Sequence, residues 1–559
     1  MEIKINKEPI QTDVLVIGGG VGGMQAAIAA AENGAHVVIA EKANTRHSGC
    51  GATGNDHFMC YIPEAHGEDF QSAIQECLAT LVGPNQDVNI FSKMLERSFE
   101  VVKKWESYGI NMRPTGKWNF EGHTMPGRPN YHLKYDGHNQ KDCLTKRARE
   151  VGAEIVNYVT IADLLVKDGK AVGAIGVSTQ YDQPEIICFQ AKSVVMTTGG
   201  AARMYPNLNP AFLCDAALCP SNGAGAAIVY RAGANLVNLD MPVVHAGPAM
   251  FQRGGKGTWM GLLTDIDGQP IGPFDIKPTR EQGDVTSDIW PSVFTDKMKD
   301  GTGPVYMNCA CLSDEDLAYQ REAFVSEGIS SINEYLDQKG MDLKYQMVEF
   351  STYEANFVGR GADIDVNGAT SLPGLYAAGD MVGSINGFVT GAAVLGMIAG
   401  ESAAAYSKDA DFVDIDTLPI IKEKTDWIAS VMGREVGAGW FEVNSTLNQI
   451  MDKYLSVKGV RSESLMRAGY KYLGDLKKYA TAELKASNSH ELMRALEVMD
   501  LIDLGMAAFL CCENRKESRG LSHRADYTFT NPLLNNKFQT IHLEDGKPVL
   551  AYRDRIKRA

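Results

Sequence analysis

The segment VLVIGGGVGGMQAAIAAAENGAHVVIAEK, residues 14–42, constrains the fold more than any other part of the 559-residue chain. A β-branched run breaks into Gly18, Gly20 and Gly23 in G-x-G-x-x-G spacing. An alanine-rich stretch of helical character follows, then a second apolar run ending at Glu41 and Lys42. The order strand, glycine turn, helix, strand opens a doubly wound α/β sheet. In such a unit the first glycine makes a tight turn, the second lets a pyrophosphate approach the backbone, and the third lets the helix close on the strand. The helix N-terminus then faces the phosphates, and Glu41 is placed to accept from ribose hydroxyls. A bound dinucleotide is expected, but this motif alone leaves FAD and NAD open.

A chain of this length outgrows a single hydrophobic core, so several domains are expected. The net charge is −15, with 44% hydrophobic and 22% charged residues. That balance argues against nucleic acid or an anionic membrane as partner, and an anionic substrate would need a locally positive pocket. The opening residues lack the basic-then-apolar pattern of a leader, and no run of 18 residues reads as apolar enough to span a bilayer, so a cytoplasmic location is expected. Eleven cysteines are scattered without a C-x-x-C pair, and this chain is expected to ligate no iron–sulfur cluster. The EAHGED loop, with Glu64, His66, Glu68 and Asp69, reads as a solvated loop before a helix, and no metal is expected.

The chain divides into a Rossmann-like FAD-binding domain in two parts, 1–235 and 351–412, an inserted α+β capping domain at 236–350, a helical domain at 413–520 and an extended tail at 521–559. The cap rests on a glycine-, proline- and tryptophan-rich stretch with little periodicity, the helical domain on segments such as SLMRAGYKYLGDLKKYATAELKA.

FAD as the dinucleotide comes from two later segments. KSVVMTTGGAARMYP (192–206) is a strand ending in Thr197, Thr198, Gly199 and Gly200. GLYAAGDMVGSINGFVTGAAVLGMIAG (374–400) is a second strand-turn-helix carrying Gly379 and Asp380. Remote pieces of this kind are what the ribityl chain and ring of an elongated FAD require. In this order they resemble the flavoprotein subunits of the succinate dehydrogenase and fumarate reductase superfamily. SNGAGAAIVYRAGANLVNLDMPVVHAG (221–247) is similar to that superfamily's active-site segment and puts His245 on its histidine, and NRKESRGLSHRADY resembles its C-terminal tail. FQRGGKGTWMGLL and KDGTGPVYMN look closer to one branch, the alpha subunits of dissimilatory adenylylsulfate reductases. The resemblance implies FAD contacts from Gly18, Gly20, Gly23, Glu41, Lys42, Ser48, Gly49, Gly54, Asn55, Thr198, Gly199, Gly200, Gly379, Asp380, Ala393 and Val394.

The superfamily pattern is not kept throughout. Dicarboxylates need fixed cationic donors, yet the histidine before the family's glycine pair falls on Asn356, one arginine near Phe388, and the proton-donating arginine on Asp288. Arg280 and Arg360 lie close enough in sequence to reclaim one role. Where some relatives link FAD through a histidine, this chain has Ser48, with His47 one position off, so non-covalent FAD is expected. The adenylylsulfate branch's GESYK segment appears as GHNQK, which puts His138 in place of an acid. The catalytic candidates are therefore His245, Arg253, Arg280 and Arg360, and the substrate-binding candidates Asn55, His57, His138, Lys256 and Asn356. A neutral imidazole at His245 suits polarising or protonating a substrate.

The expected activity is FAD-dependent electron-pair transfer between a small anionic substrate and a separate iron–sulfur, ferredoxin-like subunit, the chain being the catalytic half of a hetero-oligomer. The alternatives are a fumarate/succinate-type or enoate reductase, an L-aspartate-oxidase-like enzyme, and an electron-transfer flavoprotein subunit without its own substrate.

Overall fold

The structure, a computed structural model, describes residues 3–6, 8–80, 86–124, 127–206, 225–241, 243–249, 259–272, 274–280, 293–326, 330–357, 359–457, 459–520 and 522–555, with backbone alone for 80, 243–246, 295 and 352–356. Its central sheet runs in the order Glu154–Asn157, Val37–Glu41, Ile10–Ile17, Glu185–Met196, Lys170–Ser178 and Val159–Lys167. The first four are parallel, and the last two return antiparallel as a hairpin. Leu375–Ala377 also pairs parallel with Glu185–Met196. The registers Ile17↔Met196 and Ala377↔Met196 bring three strand ends level. The turns that follow them, at Gly18, Thr197–Gly200 and Gly379–Asp380, are therefore delivered to one edge of the sheet. Ligands of open α/β sheets bind at this carboxyl edge.

The helix Val21–Glu32 packs against the long helix Phe388–Asp409 through residues with little or no side chain. A Cβ on Gly396 would lie 2.4 Å from the Gly22 carbonyl oxygen, and one on Gly400 2.1 Å from that of Ala26. The alanine- and glycine-rich character of both helices is thus a demand of close approach. Phe388–Asp409 is long and apolar enough to cross a bilayer, which differs from the reading of the sequence alone, but 67% of its apolar window is buried inside the fold.

The stretch after residue 240, poor in periodic signal, holds an antiparallel sheet ordered Val243–Pro248, Val348–Asn356, Val305–Asn308, Leu262–Thr264. Its core, built around Trp259, Leu263, Met307, Phe324 and Phe350, is separate from the main one. Helices Pro419–Gly433, Trp440–Tyr454, Glu463–Glu483 and Ser489–Asn514 form the helical part. Buried Glu497 ties it to the sheet by accepting from Lys42 at 2.7 Å, Arg203 at 2.6 Å and Arg494 at 2.8 Å. Burial alone would disfavour its charge, but these three cations hold the carboxyl well below its usual range.

Two expectations need correction. The tail is not merely extended: Lys537–Glu544 and Lys547–Asp554 form a hairpin that joins Leu236–Val237 and Gly361–Ala362 in a second antiparallel sheet. His66 is not solvated either. Its ring stacks on Tyr131 at 4.6 Å, meets Phe120 edge-on at 4.5 Å, and bonds the Asn130 carbonyl.

Candidate functional site

The glycine turn is built as the spacing predicts. Gly18 has φ +99°, and a Cβ there would lie 2.6 Å from the Thr197 carbonyl oxygen. A Cβ on Gly23 would sit 1.8 Å from the Gly18 oxygen, whereas one on Gly20 meets nothing within 4 Å. Gly18 and Gly23 are thus glycines because the protein is in the way. At Gly20 the space stays open at the N-terminus of Val21–Glu32, where a pyrophosphate fits. That helix has no side-chain cap and no acid in its first turn, so its first N–H groups are left for an anion.

Glu41 is buried; one oxygen accepts from the glycine turn, at Gly19 N (2.5 Å), and the other from Ala43 N just past its own strand (2.7 Å). It fixes the shape of the loop as well as offering its remaining lone pairs to a ribose. Lys42 is committed to Glu497. Ser48 is buried and gives its hydroxyl to the Gly19 carbonyl at 3.3 Å, Gly49 packs on Gly20, and His47 is exposed. At the far end Thr198 reaches Met381 Sδ at 3.6 Å, and Gly199 and Gly379 take φ of +78° and +75°. Burial pushes the Asp380 carboxyl up to about 6, and no cation pairs with it among the described residues. An acceptor held this way suits the hydroxyls of a sugar-like chain. Ala393 and Val394 lie fully buried in Phe388–Asp409.

Asn55 is half-buried where the loop meets the cap, and Gly54 beside it packs on His138 and on the Ser326 carbonyl. His138 is exposed at this junction and paired with Asp136 at 2.5 Å. His57 turns into the protein instead, with Nδ1 2.9 Å from Asp56 and its ring edge-on to His123 at 4.8 Å. Burial opposes ionisation of Asp56, yet His57 and Lys134, the latter at 2.5 Å, keep its carboxyl below the ordinary range.

The two sequence-nominated arginines within the described residues differ. Arg280 donates to Asp316 at 2.9 Å and Glu315 at 3.1 Å and stacks on Tyr319, which commits it to the cap. Arg360 donates to the carbonyls of Met241 and Gly359 and pairs with no carboxylate among the described residues. Burial pulls its proton affinity down to about 10, partly offset by Asp240. Gly359 N bonds the Asp380 carbonyl at 2.9 Å, so the backbone next to Arg360 is anchored to the Gly379–Asp380 turn. The Cα of Asn356 pairs with that of Val243, and the strand shifts register between Val244 and Ala246, around His245. The backbone therefore brings Met241 and Val243 close to Arg360 and Asn356. The side chains of His245 and Asn356, and all of Arg253, Lys256 and Asp288, lie outside the described residues.

Two buried residues were missed from the sequence. Lys141, 2% exposed, donates its ammonium to the Gly19 carbonyl, and burial lowers it to about 8 against the opposing pull of Glu41. Gln140 beside it bonds Gly51 and Asn55. Both stand in the GHNQK segment, but nothing in its composition says that these polar side chains turn inward.

Fold and site together define a dinucleotide-binding protein of the elongated-cofactor type. The FAD binding domain family matches residues 13–394, and the family of fumarate reductase flavoprotein C-terminal domains matches 444–555. The chain belongs to the FAD binding domain family, and it is an FAD-dependent oxidoreductase with FAD as cofactor. It is 26% identical to a subunit of the fumarate reductase (CoM/CoB) of Methanothermobacter marburgensis, covering 96% of this chain and 99% of that one. An uncharacterised FAD-dependent oxidoreductase of Methanocaldococcus jannaschii is 23% identical over 93% of this chain and 94% of its own length. Among solved structures, the adenylylsulfate reductase of Archaeoglobus fulgidus superposes with a TM-score of 0.81 at 20% identity, covering 100% of this chain and 98% of that one. The E. coli quinol fumarate reductase gives 0.79 at 19% identity, covering 99% and 98%.

Proposed function

We propose that this chain is the catalytic subunit of a complex in which an electron pair passes between a small anionic substrate and a separate iron–sulfur partner, with FAD bound non-covalently. When bound, FAD supplies the electron-pair or hydride transfer. The observation that carries the reading is Arg360, a half-buried guanidinium that donates to two carbonyls and pairs with no carboxylate among the described residues. A desolvated cation without a counter-ion is costly unless an anion completes it. Arg360 therefore anchors the substrate's anionic group, and His245, on the adjoining strand, holds or gives the proton. Asn55 and His138 border the substrate from the FAD-domain side, with Arg253, Lys256 and Asn356 as further polar contacts. Arg280 is left out, because its guanidinium already serves two carboxylates. Ser48 in place of a linking histidine, with His47 turned outward, supports a releasable cofactor.

Within this class a fumarate-type substrate is favoured by the end-to-end similarity to a fumarate reductase subunit. Sulfite with AMP is the competitor, suggested by the adenylylsulfate reductase fold. An anaerobic titration followed by flavin absorbance, with fumarate (after pre-reduction), succinate, sulfite plus AMP, and L-aspartate, separates them. A response to one of these anions that is lost in Arg360→Gln supports the reading. A response that survives the substitution removes Arg360 from the site, and silence to all removes this substrate class.

A further inference from the structure

We infer that Gln140, held by Tyr135, is a positioning residue that fixes Asn55 as a hydrogen-bond donor toward the flavin. The inference rests on the proposed FAD-bearing site and on the FAD contact that the sequence resemblance implies for Asn55, and it adds which way its amide points and what decides this.

The argument is one of donor and acceptor bookkeeping. Gln140 is fully buried at the first position of the helix Gln140–Glu150. Its side chain makes three contacts, all at 2.7 Å: Nε2 to the Gly51 carbonyl, Nε2 to Asn55 Oδ1, and Oε1 to the Tyr135 hydroxyl. An amide can be turned over without changing its shape, so its polarity has to be read from partners that cannot reverse theirs. The Gly51 carbonyl can only accept. It therefore fixes the NH2 end of Gln140 on its own side, and Tyr135 donates to the oxygen at the other end. The second N–H of Gln140 then faces Asn55 and requires an acceptor there, which can only be Oδ1.

Asn55 is left no choice. Its oxygen is consumed inside the protein, and its own NH2 group points the other way, with no partner among the described residues. Its backbone is held as well, since Gly137 N donates to the Asn55 carbonyl at 3.1 Å. The side chain is half-buried on the loop whose Gly49 packs on the Gly20 of the dinucleotide turn. It thus presents two N–H groups beside the cofactor path. The acceptors of matching chemistry on a bound flavin are the ring nitrogens and carbonyl oxygens along the edge of the isoalloxazine. Gly51 has a part of its own, because a Cβ there would lie 3.0 Å from Gln140 Nε2 and 3.3 Å from Asn55 Oδ1, crowding both.

The test is a double-mutant cycle on the full chain with FAD, using Asn55→Ala, Gln140→Met, the double variant and Tyr135→Phe. The readouts are the midpoint potential of the bound flavin and the Kd for FAD, with thermal melts as a check on folding. Asn55→Ala is expected to shift the potential and to raise Kd about 2- to 12-fold, the worth of one hydrogen bond. Gln140→Met is expected to shift the potential in the same direction, and the double variant to go no further than Asn55→Ala. Tyr135→Phe, which keeps the ring and should fold even if Gln140→Met does not, is expected to give a smaller shift of the same sign. If Asn55→Ala leaves both potential and Kd unchanged, Asn55 does not face the flavin, and the reading of the site falls together with this inference. If Asn55→Ala acts while Gln140→Met and Tyr135→Phe do nothing, or if the two effects simply add, the positioning inference alone is overturned.

Discussion

Replacing Gly20 with alanine separates binding from folding in a way that few single substitutions can. The backbone at Gly20 has φ −65° and ψ −173°, a conformation open to any residue. No atom lies within 4 Å of the methyl that would be added. The apoprotein should therefore lose nothing, and the reduced freedom of the unfolded chain should stabilise it by about 0.4–1 kcal/mol. With FAD the balance reverses. The methyl enters the space at the helix N-terminus that a pyrophosphate needs, and forcing one extra carbon into a filled site costs about 1–3 kcal/mol. That corresponds to an FAD Kd raised about 5- to 150-fold. Gly23→Ala is the matching control, since its Cβ would lie 1.8 Å from the Gly18 oxygen and 2.6 Å from Thr197 Oγ1. It should destabilise the apoprotein outright. The assays are thermal denaturation of flavin-free protein and a fluorescence-quenching titration with FAD. A Gly20→Ala protein that melts below wild type, or one that binds FAD with the wild-type Kd, would refute the reasoning.

Three further outcomes are expected. The Lys141 ammonium is lowered by burial to about 8, so between pH 8 and its ordinary value of 10.5 the unfolded chain holds a proton that the folded chain has lost. Flavin-free protein should accordingly gain stability over that window by about 3 kcal/mol relative to Lys141→Met, measured as the difference in urea midpoints against pH. Glu497→Gln leaves Lys42, Arg203 and Arg494 around a neutral side chain in a buried site. It should cost about 3–5 kcal/mol, read from chemical denaturation. Arg360→Gln should leave FAD affinity unchanged while raising KM for the active anion about 10- to 150-fold, with Arg360→Lys between the two in steady-state assays.

What was legible in the sequence is what short-range physics decides. The turn at residues 18–23 could be read because its glycines recur at a fixed short spacing between a strand and a helix, and the strand ending at Met196 could be read because its apolar run stops at a turn. The hairpin Lys537–Asp554 could not. The strands it joins, Leu236–Val237 and Gly361–Ala362, are two residues each and carry no periodicity of their own. Nor could Gln140, whose direction is set by the Gly51 carbonyl 89 residues away.

The arginines make the same point about the substrate. Arg280 and Arg360 looked interchangeable as replacements for a missing cation, because a sequence lists charges without their partners. Arg280 meets Asp316, 36 residues further on, and its charge is spent within the cap. Arg360 meets the carbonyl of Met241, 119 residues back, which gives a guanidinium a hydrogen bond but no neutralising charge. Both contacts satisfy donors, yet among the described residues only the second leaves a guanidinium without a paired carboxylate, the place that the proposed substrate anion would fill. In a protein of net charge −15 such a position attracts an anion that the rest of the surface repels. If Arg360 anchors the substrate as proposed, substrate polarity is set by which cation is left without a carboxylate among the described residues, and the number of cations near the site in sequence does not decide it.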